Sequence, residues 1–170
     1  YTGSGLNESV INSELGSVTV TKVFADVEGG GISYPASVEA MLYADGQQVL
    51  QDALGNAVGN AKGVLTVANN GTVYSVTVRD LPKYDAQGKA ITYTVQECYT
   101  NPTTSTVQPV NDGAKITLDG VEYTVTYQGT GITNTVARGE LTVVKTYTGP
   151  AELSDAFQVL VKENGQTVAT

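Results

Sequence analysis

The sequence of 170 residues predicts an all-β fold, an antiparallel β-sandwich. Two observations support this prediction: short segments of alternating apolar and polar residues recur along the chain, and Asp-Gly or Asn-Gly pairs separate several of them. Alternation with a period of two is typical of half-buried strands, and such pairs supply the positive φ angles of tight hairpins. The composition agrees, because Thr, Val, Gly and ten Tyr dominate a chain that has no Trp.

Eight segments show the strand alternation in chain order. The predicted strands are residues 18–24, 37–43, 64–68, 72–78, 91–97, 114–118, 121–127 and 132–136. The predicted turns are Asp45-Gly46, Asn70-Gly71, Asp112-Gly113 and Asp119-Gly120. A helical turn is conceivable only over residues 49–61, where the glycines disfavour a helix.

The first strand, "VTVTKVF", carries a lysine on its apolar face. Strand side chains repeat every second residue, so Lys22 shares a face with Val18, Val20 and Phe24. Burying an unpaired ammonium group costs several kcal/mol or more, so such a group normally neutralises, pairs or reacts. The sequence therefore marks Lys22 as a candidate functional residue.

Charge and composition exclude several classes of function. The net charge is −8 and histidine is absent, which argues against a nucleic-acid partner and against a hydrolase with a Ser–His or Cys–His pair. The apolar runs are too short to insert into a membrane, and the first residues do not form a signal peptide. We expect an extracellular protein whose export signal and anchor lie outside this segment. The single cysteine, Cys98, excludes a disulfide framework and a Cys-rich metal site, and no cofactor or metal is expected.

Internal repetition indicates a segment of a tandem array. The stretch "YTGSGL" at the N-terminus matches "YQGTGI" at residues 127–132, and "VTVTK" ending at Lys22 matches "LTVVK" ending at Lys145, 123 residues later. In addition, "VEAMLYADGQQV" matches "FQVLVKENGQTV" near the C-terminus. We predict the tail of a preceding repeat at 1–13, a complete domain at 14–138 and the opening strands of a following repeat at 139–170. The two partial repeats are expected to need strands from neighbouring repeats.

These motifs together resemble one known family. The segments that carry the resemblance run from about residue 17 to 136: "VTVTKVF", "EAMLYADGQQV", "YSVTVRDLPKYDAQGKAITYTVQE" and "GITNTV". They are similar to the collagen-adhesin B-type (Cna_B) repeat domain of Gram-positive surface proteins and pili. The resemblance implies an immunoglobulin-like sandwich and a spontaneous isopeptide bond between Lys22 and Asn134, assisted by Glu97. Phe24 stands where these repeats often have tryptophan, and Lys145 is the possible cross-link lysine of the next repeat.

Strand parity independently favours the same three residues. Glu97 shares its strand face with Val95, and Asn134 shares its face with Ile132, so each polar group lies on an apolar side. Burial favours the neutral forms of a close amine and acid pair. A neutral Lys22 amine is a nucleophile, and a protonated Glu97 would polarise the Asn134 amide and relay the proton that lets ammonia leave.

Several alternatives stay open at this stage. The three groups would instead form a buried Lys–Glu salt bridge with Asn134 hydrogen-bonded nearby. For function, we expect a structural stalk or fibre repeat whose partners are neighbouring repeats of a cell-wall-attached protein. The alternative is an adhesive module that binds a host protein or glycan through exposed tyrosines, the candidates being Tyr34, Tyr43, Tyr74, Tyr84, Tyr99 and Tyr127.

Two further groups of residues receive structural interpretations. Cys98 follows Glu97, so it is expected to point outward as a solitary surface thiol. The acidic residues lack the spacing of a calcium loop and are expected to serve turn geometry, the set being Asp26, Glu28, Asp80, Asp85, Asp112 and Asp119.

Overall fold

A computed structural model describes residues 14–25, 34–70, 73–136, 141–144, 146, 148, 158–163 and 166–169. Within these ranges the chain forms strands and turns and no helix, so none of the described elements is a helix that could cross a membrane. The chain divides into two compact units, residues 1–138 and residues 139–170.

The described residues of the first unit form ten strands. They are β1 Leu15–Ala25, β2 Ser37–Ala44, β3 Gln47–Gln48, β4 Val64–Asn69, β5 Tyr74–Pro82, β6 Tyr93–Thr100, β7 Val107–Pro109, β8 Lys115–Leu118, β9 Val121–Gln128 and β10 Gly131–Val136. Each of the eight predicted strands overlaps one of these, which confirms the all-β prediction. The short strands β3 and β7 were not predicted, because two or three residues are too few to show an alternation.

The strands form one hydrogen-bonded sheet that folds over itself into a sandwich. Their order is β7-β6-β2-β4-β5-β1-β10-β9-β8, with β3 paired to β2. The sheet bends between β4 and β5, which are joined by only two residue pairs, Ala68 with Ser75 and Asn69 with Tyr74. One layer is therefore β7-β6-β2-β4 and the other is β5-β1-β10-β9-β8. Across the interior, β6 contacts both β9 and β10.

Inward-facing aliphatic side chains fill the space between the layers. The members with at most 1% exposure include Val20, Ala40, Leu42, Val67, Leu81, Val125 and Ile132. They come from both layers, as expected when alternate residues of each strand face the interior. Three polar side chains are also buried among the described residues, and they define the site considered below.

Two hairpin turns follow the predicted chemistry. Asp45 and Gly46 have φ angles of 46° and 83°, and Asp119 and Gly120 have φ angles of 49° and 83°. Positive φ at both central residues is the signature of a type I′ turn, which matches the twist of the flanking strands. Of the predicted Asn70-Gly71 turn, Gly71 lies outside the described residues. The region 49–61 forms turns and no helix, with a single bridge between Gln51 and Ala57.

The second unit contains one described hairpin, formed by β11 Val161–Glu163 and β12 Gln166–Ala169. Its register agrees with the sequence repeat. In β11–β12, Lys162 pairs with Thr167 and Glu163 with Gln166, and these are the counterparts of the pairs Tyr43–Gln48 and Ala44–Gln47 in β2–β3. The repeated sequence thus forms the same hairpin in both units. The predicted tail at 1–13 lies outside the described residues.

Candidate functional site

The structure brings Lys22, Glu97 and Asn134 together in the core of the first unit. They come from β1, β6 and β10, and their exposed fractions are 0%, 3% and 0%. No other polar or charged residue among those described reaches the same degree of burial. A cluster of this kind requires a specific reason, because buried charged groups are costly unless they are paired or chemically changed.

The strand register sets the positions of the lysine and the asparagine. β1 and β10 are parallel neighbours in which Lys22 pairs with Ile132 and Phe24 pairs with Asn134. Asn134 therefore lies two residues beyond the partner of Lys22 on β10, and its side chain faces the same side of the sheet. Glu97 belongs to the opposite layer, where it pairs with Ala40 of β2. The acid thus approaches the other two residues from across the sandwich.

The carboxylate of Glu97 contacts both partners through different oxygens. Lys22 Nζ donates a hydrogen bond to Oε2 at 2.7 Å, and Asn134 Nδ2 donates a long one to Oε1 at 3.4 Å. The acid therefore lies between the amine and the amide. This is the place required of a group that moves a proton from one to the other.

The carbonyl oxygen of the asparagine is not satisfied. Asn134 Oδ1 is buried and has no hydrogen-bond partner among the described residues. Leaving a buried acceptor unpaired costs about 1–3 kcal/mol. The asparagine amide is therefore hydrogen-bonded through its nitrogen and unpaired at its carbonyl oxygen.

Burial also changes the state of the amine. Removal from water lowers the pKa of Lys22 from 10.5 to about 8, and the attraction and hydrogen bond of Glu97 offset only part of this effect. A larger fraction of the Lys22 amine is therefore unprotonated at a given pH than in an exposed lysine. A free lone pair at this position is the requirement for nucleophilic attack.

Aromatic rings cover the amine on one side. The ring centre of Phe24 lies 4.9 Å from Lys22 Nζ. Phe24 in turn packs against three tyrosine rings at centroid distances of 5.0–5.5 Å, namely Tyr34, Tyr74 and Tyr123. Sequence reasoning included Tyr34 and Tyr74 only as possible ligand-binding residues and did not select Tyr123, which is 1% exposed. The alternation of β9 was the available signal, because it places Tyr123 on the same face as Val125.

Cys98 requires a correction. It points away from the site, as expected for the residue after Glu97, but it is 4% exposed and therefore not a surface thiol. It packs with Met41 and Val64, and the partly buried Tyr43 and Val107 cover the same small cluster. The prediction failed because β7 and the side chains of β2 and β4 shield this outer face. Burial raises the pKa of the Cys98 thiol to about 12.

The remaining predicted residues fall into two groups. Lys145, Asp26 and Glu28 lie outside the described residues, so their interpretations stay predictions. Among the residues that the structure describes, no group of acidic or other side chains is arranged to hold a metal ion. Asp85 serves its turn, since its Oδ1 accepts the backbone N–H groups of Gln87 and Lys89.

Half of the candidate ligand-binding tyrosines are buried or partly buried. Tyr74 is buried, and Tyr43 and Tyr127 are partly buried. The exposed members of the set are Tyr34, Tyr84 and Tyr99, which lie on different parts of the chain. One cleft along the described residues includes Tyr99, and another includes the partly buried Tyr43 and Tyr127.

Two solved structures match, both of B repeat units from the collagen-binding protein Cna of Staphylococcus aureus. The two-repeat structure, B1B2, is 29% identical over 72% of this chain and 23% of that chain, with a TM-score of 0.43. The single B1 unit is 28% identical over 74% of this chain and 49% of that chain, with a TM-score of 0.45. The chain thus spans less than half the length of each.

The family comparison covers more than half of the chain. No curated protein matches the sequence. The family model of the Cna protein B-type domain matches residues 18–119, a range that includes Lys22 and Glu97 and ends before Asn134. The chain therefore belongs to the Cna protein B-type domain family.

Proposed function

We propose that residues 14–138 form a structural repeat in the stalk or fibre of a bacterial surface adhesin or pilus, cross-linked by an isopeptide bond between Lys22 and Asn134. The observation that carries this proposal is the position of the Glu97 carboxylate. It contacts the lysine amine at 2.7 Å and the asparagine amide at 3.4 Å, in a site that is almost completely closed to water.

The reaction needs only the three side chains. The unprotonated Nζ of Lys22 attacks Cγ of Asn134 while the protonated carboxyl of Glu97 donates to the amide. The new Nζ–Cγ bond forms, the Cγ–Nδ2 bond breaks, and Glu97 carries one proton from Nζ to Nδ2, which leaves as ammonia. Because the strands hold the groups together, the effective concentration is that of an intramolecular reaction. The domain reacts once and is not an enzyme with turnover.

The cross-link accounts for two features of the site that would be energetically unfavourable in a simple salt bridge. A buried ion pair is a weak stabilising element, because desolvation of both charges offsets their attraction. The same site also contains a carbonyl oxygen with no partner among the described residues. Conversion to an amide removes the buried positive charge and leaves an N–H that can donate to Glu97. These points favour the cross-link over the noncovalent arrangement.

The position of the bond suits a load-bearing role. β1 is the first described strand of the unit and β10 is the last, and the two are parallel neighbours. Tension that enters before Leu15 would pass along β1 to Lys22, cross to Asn134 and leave beyond Val136. The strands between Lys22 and Asn134 would then carry no load, so the unit would resist extension without relying on its noncovalent contacts.

Family membership supports the location and the partners that we propose. One matched structure is described as part of a collagen-binding surface protein of Staphylococcus aureus. We propose that this chain is likewise extracellular and attached to the cell wall through other parts of its parent protein. Its partners would be neighbouring repeats in the same array. Direct binding of a host protein or glycan is less favoured, because only Tyr34, Tyr84 and Tyr99 of the six candidate tyrosines are exposed.

Intact-mass spectrometry of the purified chain tests the proposal. We expect the mass to be lower than that of the sequence by one ammonia, and a peptide digest to contain Lys22 joined to Asn134. The matched control is Lys22→Met, which fills a similar volume but has no nucleophile, and its mass should equal that of its sequence. A full, unmodified mass for the folded wild-type chain would refute the cross-link.

A further inference from the structure

Tyr127 ties Glu97 to the layer that carries Lys22 and Asn134. Its hydroxyl accepts a hydrogen bond from the backbone N–H of Glu97 at 3.1 Å and donates one to the carbonyl of Val110 at 2.7 Å. Tyr127 belongs to β9, whereas Glu97 belongs to β6 of the opposite layer. This side chain therefore spans the interior and ends on the backbone of the acid.

The hydroxyl fills a gap in the pairing beside Glu97. The β6–β7 ladder ends at the pair Cys98–Pro109. Beyond it, Val110 N–H still donates to the carbonyl of Glu97 at 2.8 Å, but the return bond from Glu97 N–H to Val110 passes through the Tyr127 hydroxyl. Without the hydroxyl, the N–H of Glu97 would lose its acceptor at a buried position, which is costly.

The strand register places Tyr127 in the same row as the lysine. Tyr127 pairs with Ile132 of β10, and Ile132 pairs with Lys22 of β1. Directly opposed residues of adjacent strands point to the same side of a sheet. Since strands are about 4.8 Å apart, the two ends of this row lie roughly 10 Å from each other. Both ends meet Glu97: Lys22 holds its carboxylate and Tyr127 holds its backbone.

We propose that Tyr127 is a positioning residue that fixes Glu97 at the height of Lys22 and Asn134, an inference that rests on the proposed cross-linking reaction. Tyr127 does not contact the reacting atoms. It acts by setting where the carboxyl of Glu97 lies, and a displacement of about 1 Å can slow an intramolecular reaction by up to roughly a hundredfold. The same tyrosine opens both copies of the repeated motif, as Tyr127 in "YQGTGI" and as Tyr1 in "YTGSGL".

The test compares Tyr127→Phe with a matched variant, Tyr93→Phe. Tyr93 is also partly buried and also donates its hydroxyl to a backbone carbonyl, that of Pro82 at 2.7 Å, but its hydroxyl makes no contact with Glu97. Each chain is made in a short pulse of cell-free synthesis and sampled over time. Intact mass gives the fraction that has lost ammonia, and brief proteolysis gives the fraction that is folded.

The ratio of cross-linked to folded molecules separates chemistry from folding. We expect Tyr93→Phe to follow the wild type within about twofold, and Tyr127→Phe to cross-link at least about tenfold more slowly once folded. Equal rates in the two variants would overturn the role of Tyr127 and leave the cross-link itself intact. A wild-type chain that never loses ammonia would instead refute the proposed function, and the positioning role with it.

A second variant covers the case in which Tyr127→Phe does not fold. Asp112 is exposed, and its Oδ1 accepts the backbone N–H of Tyr127 at 3.2 Å. Asp112→Ala loosens Tyr127 without changing the core, so we expect it to slow cross-linking in folded molecules by about two- to fivefold, since one exposed hydrogen bond is worth about 1 kcal/mol or less. A rate equal to that of the wild type would contradict the proposal.

Discussion

Replacing Asn134 by alanine separates a covalent tether from a noncovalent cluster. The substitution removes the carbonyl that Lys22 would attack, but it leaves the contact between Lys22 and Glu97 at 2.7 Å. It also removes the buried Oδ1 that has no partner among the described residues. The two interpretations of the site therefore predict different changes in stability.

The noncovalent contribution of Asn134 is small when worked from the structure. The lost hydrogen bond to Glu97 is long, at 3.4 Å, and a typical net value is about 0.5–1.5 kcal/mol. Removal of the unsatisfied oxygen returns about 1–3 kcal/mol, which offsets this loss and part of the cost of the small cavity. If the site is only a salt bridge, the free energy of unfolding should change by no more than about 1–2 kcal/mol.

The covalent contribution is larger. A bond between positions 22 and 134 closes a loop of more than 100 residues, for which the chain-entropy model gives about 5 kcal/mol. For a domain of this size such a loss corresponds to a fall in Tm of about 15–25 °C. We therefore expect Asn134→Ala to melt far below the wild type.

Differential scanning calorimetry and intact mass on the same samples provide the assay. Thr133→Ala is the control, because Thr133 lies on the same strand and faces the other side of the sheet, and its Tm should stay within a few degrees of the wild type. The tether would be refuted if the Tm of Asn134→Ala fell by less than about 5 °C and the mass of the wild type equalled that of its sequence.

Three other predictions follow from the same site and its surroundings. In Asn134→Ala, Lys22 remains an amine whose pKa falls from 10.5 in the unfolded chain to about 8 in the folded one, so the unfolded state binds more protons between these values. Its stability should rise by up to about 3 kcal/mol from pH 8 to 10.5 relative to the wild type, in which the proposed bond converts Lys22 to an amide; parallel curves in calorimetric titrations would contradict this. Glu97→Gln keeps the shape of the side chain but cannot relay a proton, so intact mass should show cross-linking slowed by about 10²–10⁴-fold, and a normal rate would exclude Glu97 from the chemistry. Cys98 is buried with a pKa raised to about 12, so a chromogenic disulfide reagent should react about a hundredfold more slowly with the folded chain than with the denatured one; equal rates would mean that its cover opens freely.

Strand periodicity explains how much of the site could be predicted from the sequence. Lys22, Glu97 and Asn134 each occur in a strand long enough to show alternation, so their inward faces follow from the neighbouring Val20, Val95 and Ile132. The pairing of layers is a different matter. The alternation within one strand does not show which strand lies opposite it across the interior. The position of the Glu97 carboxylate between Lys22 and Asn134 is therefore seen only in the structure.

The failures have equally specific causes. Cys98 was expected at the surface because an outward face of a strand is usually solvated, yet β7 and its neighbours cover this one. β7 itself has three residues and ends at Pro109, which leaves no alternation to detect. Tyr127 was considered only as a possible ligand-binding residue, because its role depends on the missing ladder bond beside Glu97, which is a property of the tertiary pairing.

The parallel pairing of β1 with β10 also determines how far one repeat reaches. A chain that begins on one of two parallel neighbours and ends on the other comes in at one pole of the sandwich and goes out at the opposite pole. β1 has 11 residues, so this distance is about 36 Å at roughly 3.3 Å per residue. In the array that we propose, each repeat would therefore add about one strand length, and the proposed cross-link would keep that increment constant under tension.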